Sequence, residues 1–200
     1  LDAYDPIPAL GDLDWSAVDP AAAWDYWELR RAGPAPDPVL GTGGALTLEE
    51  LDPTVAEALS LIEPSGGFAG GCLPAWCYSY VAAVDGDQVT VIDTRGHFAA
   101  FLAPVTTAEE AILLAWSRDH VWWDTPAYTG VDEGLPVLPP GGERDTGIRE
   151  VDGGWDVVVF QLTEYCDPIR TDRVRFRVHA DGRVTEEARE VWQRTEDACI

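Results

Sequence analysis

The chain has 200 residues, 46% of them apolar and 10% aromatic, and a formal net charge of −23 from 36 acidic against 13 basic side chains. An apolar share of this size, with nine tryptophans in it, excludes a disordered chain in spite of the charge. The charge excludes nucleic acid and anionic membrane surfaces as partners, because both would be repelled.

Apolar runs are short, Ala111–Trp116 among the longest, and none approaches the ~20 residues that cross a bilayer, so no transmembrane segment is expected. Every basic residue is arginine, and the chain has neither lysine nor methionine. Retained arginine without lysine is the pattern of GC-rich bacterial coding, and an acidic surface keeps proteins apart and hydrated. The sequence opens on Leu1. Removal of an export signal would leave such a start, as would any other trimming.

Four cysteines are present: Cys72, Cys77, Cys166 and Cys199. An even count beside an apparently processed start points to two disulfides and an exported location: periplasm, cell surface or medium. Cys72–Cys77 and Cys166–Cys199 are the expected pairs, since each shares a local segment. Closing the ~34-residue second loop would stabilise the fold by about 3–4 kcal/mol through chain entropy. The spacings do not give the close pairs of a zinc site or the two-residue gap of a redox dithiol.

Residues 1–18, rich in Asp and Pro, read as an extended arm. Asp19-Pro20 then starts an expected helix that runs to Ala32, before Gly33-Pro34. Ala23, Trp24, Tyr26, Trp27 and Leu29 would spread over more than half its circumference, leaving Asp25 and Glu28 wet, so it needs cover on more than one side. Residues 33–45 form a Pro/Gly linker, and the chain divides there into an arm-plus-helix unit (1–43) and a disulfide-stapled α+β domain (44–200). Asp52-Pro53 opens a second helix, with Val55, Ala58, Leu59 and Ile62 on one face.

From Cys77 the period becomes two. Tyr78–Val84 and Gln88–Asp93 flank Asp85-Gly86, Ile148–Val151 and Trp155–Tyr165 flank Asp152-Gly153, and Asp172–His179 and Val184–Trp192 flank Asp181-Gly182. A helical turn over 96–102 and a helix capped by Thr106 or Thr107 with Glu109 or Glu110 lie between them. In that helix Ala108, Ala111, Ile112 and Ala115 share a face. The expected fold is therefore α+β. It has one antiparallel sheet of about six strands from three Asp-Gly hairpins, two N-terminal helices and one helix inserted between strands.

Chemistry-bearing residues fall into four groups. On the strand Arg173–His179, Arg173, Arg175, Arg177 and His179 alternate with Val174, Phe176 and Val178. Arginine forks bind carboxylates bidentately, which makes an anion site. They also find partners across a two-residue turn, where Arg177 would face Glu186 and Arg173 would face Glu190, or Arg175 would face Glu187 if the turn is bulged. Trp122-Trp123-Asp124 heads a Pro/Gly loop and, with the tryptophan excess, is the place for a sugar platform.

Trp24 and Trp27 on the expected first helix form the candidate protein-partner surface. Asp93-Thr-Arg-Gly-His97 gathers an acid, a cation and a base after a strand. None of His97, His120 and His179 has zinc-ligand spacing, and no nucleophile elbow or nucleotide loop occurs, so no catalytic residue and no metal site are assigned. No cofactor is expected beyond weak calcium in acidic loops such as Asp85-Gly-Asp87, Asp132-Glu133 and Glu143-Arg-Asp145. The expected function is a non-enzymatic exported domain that binds a protein partner or serves a structural role. The alternative is an exported enzyme or binding module that uses Trp and carboxylates on carbohydrate.

Overall fold

A computed structural model describes residues 4–8, 10–32, 39–62, 64, 66–68, 78–118, 121–122, 146–165 and 168–196. Among them are ten strands: β1 (Asp5–Pro6), β2 (Tyr26–Ala32), β3 (Val39–Gly43), β4 (Tyr78–Asp85), β5 (Gln88–Ile92), β6 (Val121–Trp122), β7 (Gly147–Val151), β8 (Gly154–Tyr165), β9 (Ile169–His179) and β10 (Val184–Thr195). Three α-helices join them: α1 (Pro53–Ser60), α2 (Arg95–Leu102) and α3 (Ala108–Trp116). The class is α+β as expected, but the strands form two antiparallel sheets and not one. The smaller runs β3-β2-β4-β5 and the larger β1-β7-β8-β9-β10, with β6 also paired to β8.

The expected helix over 19–32 does not form; residues 26–32 are β2, central in the smaller sheet. An apolar spread too wide for one helix face is what a strand buried on both faces produces. Trp27 and Leu29 sit on one face and Tyr26, Glu28 and Ala32 on the other, all buried. Part of the expected linker is β3, which pairs with β2. Its glycines serve close approach and not flexibility. A Cβ on Gly41 would lie 2.1 Å from the Trp15 ring, and one on Gly43 would lie 2.5 Å from the Trp27 ring.

α1 begins where Asp52-Pro53 indicates, with the Asp52 carboxylate accepting the Thr54 N–H at 2.8 Å. With Leu51 just before it, it lays Val55 and Leu59 on the Tyr26/Tyr80/Ala82/Val84 face of the smaller sheet. The opposite face of that sheet packs on α2, α3 and the N-terminal segment. Beyond them lie Ile148, Val157, Val159, Val174, Phe176 and Val178 of the larger sheet, all in one core. The molecule is thus layered α1, small sheet, helices with arm, large sheet.

α3 carries the expected capping box between Thr107 and Glu110. It lies between the sheets, and every residue from Glu110 to Trp116 is buried, where one buried face was expected. Glu110 is fully buried and also accepts the Asp19 N–H at 3.0 Å, tying the arm to the helix start.

The β9–β10 turn decides a register. His179 N–H donates to Arg183 O and Gly182 N–H to His179 O, both at 2.9 Å, which makes a three-residue loop and not the expected two-residue one. Gly182 sits at φ 81, where a left-handed residue closes such loops, with its Cα facing the Ala99 carbonyl of α2.

Candidate functional site

The face of the large sheet turned away from α3 gathers the arginines of β9. Alternation along β8 and β9 sends Val157, Val159, Val174, Phe176 and Val178 into the core. The opposite side receives Asp156, Val158 and Phe160 from β8, and Arg173, Arg175 and Arg177 from β9 directly across from them. The three-residue loop shifts β10 by one position, so Glu186 stands opposite Phe176 and Thr185 opposite Arg177. A bulge between Glu186 and Ala188 then restores the register, and Glu190 meets Arg173.

One expected ion pair therefore forms, Arg173 Nη1 to Glu190 Oε1 at 2.9 Å. The expected Arg177–Glu186 pair does not, because the loop turns Glu186 to the other face. The alternative Arg175–Glu187 pair does not form either. Arg175 faces Ala188, and the Glu187 carboxylate accepts from Thr185 Oγ1 at 3.0 Å.

Arg177 instead reaches back to β8. Its Nε donates to Asp156 Oδ1 at 2.8 Å, while Arg149 from β7 donates Nη2 to Oδ2, also at 2.8 Å. Asp156 is 2% exposed. Burial by itself would raise its carboxyl pKa; the two guanidinium groups more than offset that and hold it below the ordinary carboxylate range. The Arg149 guanidinium lies 4.4 Å over the Tyr4 ring.

A second clamp sits on the α3-facing side, past the end of the apolar core. Asp172, equally buried, accepts from Arg170 Nε at 2.7 Å and from Arg189 Nη1 at 3.0 Å, and its carboxyl is lowered in the same way. Arg189 also holds Glu186 at 2.8 Å and Gln161 at 2.7 Å.

Beneath α1 the small sheet buries Glu28, 1% exposed. Tyr26 Oη donates to its Oε2 at 3.1 Å, and the Arg30 guanidinium meets its Oε1 as an ion pair without hydrogen-bond alignment. Burial first, and the Glu28 charge second, push the Tyr26 hydroxyl pKa well up.

At one end of the large sheet's far face stands an aromatic pair. Trp192, on a second bulge of β10, tilts over Phe160 with ring centroids 5.1 Å apart. Phe160 is buried, whereas Trp192 keeps 37% of its surface exposed. The β6 backbone places position 122 opposite Phe160 in register.

The residues singled out from the sequence thus separate. Arg173, Arg175 and Arg177 come together on the far face, with the backbone of Trp122 at its margin. Trp27 is core, 2% exposed and edge-on to Phe101 at 5.8 Å. Trp24 is half-buried beside Phe101 at 6.2 Å, its indole N–H buried without an acceptor among the described residues. Both pack against Phe101, and the helix face expected to present them does not form.

His179 bonds Thr185 within the β9–β10 hairpin. The Asp93–His97 segment is the start of α2, with Thr94 accepting the His97 N–H at 3.2 Å and Arg95 donating to the Ser117 carbonyl. Asp85 and Asp87 flank a turn whose Gly86 N–H donates to Asp25, and no three His, Cys, Asp or Glu side chains converge among the described residues. Trp123, His120, all four cysteines and the acidic clusters at 132–133 and 143–145 lie outside the described residues.

Sequence reasoning missed Arg149, Asp156, Phe160 and Trp192 as members of this face. Alternation in Trp155–Tyr165 carried the signal for Asp156 and Phe160; nothing local to β10 indicated the bulge that exposes Trp192. Comparison with known families, characterised proteins and solved structures finds no match to this chain.

Proposed function

We propose that the chain is a non-enzymatic binding domain whose recognition surface is the far face of the large sheet and whose partner bears carboxylates. One observation carries this reading. Arg175 is exposed in the middle of that face and makes no hydrogen bond or ion pair among the described residues. Its neighbours Arg149, Arg173 and Arg177 are each committed to a carboxylate.

In a chain of net charge −23, an uncommitted guanidinium has no shortage of acids to pair with. Here its strand neighbours are Val158 and Ala188, which offer none. The arginines around it are balanced by carboxylates, so Arg175 carries the surplus positive charge of this face, and a bidentate fork fits a carboxylate. The buried carboxylates Asp156 and Asp172 are held ionised by arginines, and Glu28 and Glu110 are held by hydrogen bonds and an ion pair. That arrangement suits a rigid scaffold better than a proton-transfer site.

The test is binding of immobilised carboxylated ligands by the native chain, Arg175→Ala and Arg175→Glu, with Arg183→Ala as an exposed-arginine control. Loss of about tenfold in affinity with Arg175→Ala, and more with Arg175→Glu, is expected. Equal binding by all four proteins would overturn the assignment.

A further inference from the structure

Going further on the same face, we infer that its partner is an acidic glycan whose carboxylates are sparse, bound with a sugar ring on Trp192 and a carboxylate on Arg175. This rests on the reading of the far face as a carboxylate-binding surface. The face has an aromatic end and a cationic middle. Trp192 is exposed, and Phe160 beneath it and the bulge at its own position fix its ring.

Along β9, Arg173 stands opposite Phe160 and is locked to Glu190, and Arg175 follows two residues on, about 7 Å away in an extended strand. The Trp192 ring over Phe160 and the Arg175 fork thus share one face of the sheet. A pyranose presents a flat C–H face for the indole, and an acidic sugar carries its carboxylate on the same rigid ring. A peptide offers its carboxylate on a flexible stem with no such face.

The charge of the whole chain narrows the class. On this face Arg149, Arg173, Arg175 and Arg177 stand with Asp156, Glu187 and Glu190, so the patch is locally positive while the chain is at −23. A dense polyanion, polyuronate or nucleic acid, would gain Arg175 and then be repelled along the rest of its length. A largely neutral glycan with a single acidic ring would gain the arginine and avoid that repulsion.

Calorimetry of the full chain against three probes tests this: a neutral oligosaccharide ending in one glucuronate, the same compound with its carboxyl reduced, and a glutamate-containing peptide. The native chain is expected to bind the first and to lose about tenfold or more on carboxyl reduction, with Arg175→Ala and with Trp192→Ala. Arg175 is exposed, so its variant should keep the native melting temperature; Trp192→Ala uncovers Phe160, and its binding is compared well below its own measured melting temperature.

Arg175-dependent binding of the peptide without binding of the glycan would overturn the glycan inference and leave the carboxylate face standing. Glycan binding unchanged by Trp192→Ala would overturn it as well. Binding of neither probe would remove both.

Discussion

The two sheets each bury acidic side chains on strands, and they neutralise them in different ways. The large sheet places Asp156 and Asp172 on its inner strands β8 and β9, each held by two arginines that are themselves about 30% to 37% exposed on their side chains. The small sheet seals Glu28 under α1 with one arginine, 14% exposed, and a tyrosine. Half-exposed guanidinium groups keep part of their hydration while satisfying the carboxylate, so desolvation costs little. Under α1 nearly all hydration is lost, and the pair has to recover it through its own contacts. The large sheet leaves Arg175 without a partner among the described residues, while Glu28 and Arg30 of the small sheet are committed to each other.

Breaking the buried pair should have the largest effect. Glu28→Leu leaves Arg30 and the Tyr26 hydroxyl without their acceptor under α1, and is expected to cost about 3–5 kcal/mol in urea unfolding. Adding Arg30→Leu should recover most of that loss. A double variant as unstable as the single one would show that the charge itself stabilises this sheet.

Asp156→Asn is expected to cost less, about 2 kcal/mol at neutral pH, because its arginines remain solvated. The folded carboxyl titrates below its unfolded value, so its contribution is complete above the unfolded pKa and is lost as pH falls through the folded one. The stability gap between native and variant should thus be constant from pH 7 to about 5 and begin to narrow below about pH 4. A gap already gone at about pH 5, above the unfolded value, would contradict the clamp.

The smallest effect belongs to the rim pair. A double-mutant cycle on Arg173 and Glu190 should give a coupling of about 0.5 kcal/mol that fades with added salt. A coupling above about 2 kcal/mol would place that pair with the buried ones.

Much of the local structure was legible. Asp52-Pro53 and the Thr107/Glu110 box mark helix starts because their side chains satisfy backbone N–H groups a few residues away, which is information held in one short segment. The strands from Tyr78 onward declared themselves by alternation. Tyr26–Ala32 misled because aromatics on both sides of a strand and around a helix look alike when only apolarity is counted. Gly41 and Gly43 misled because the tryptophans seated on them come from elsewhere in the chain.

For the candidate site, alternation in β9 exposed the arginine row and paired Arg173 with Glu190. It did not distinguish committed from uncommitted arginines. That depended on a loop one residue longer than expected, a bulge that compensates for it, and Asp156 arriving from β8.

By itself, then, the sequence determined the helix caps, the strand periods, the α+β class and an arginine stripe in an acidic chain. These follow from interactions between residues close along the backbone. The tertiary structure alone decided that there are two sheets, that α3 is buried on all sides, that Trp27 is core while Trp192 is exposed, and that Arg175 has no partner among the described residues. Each of these depends on which distant strand lies alongside and in what register, and a one-residue shift there exchanges the partners across the strands or turns a side chain to the other face.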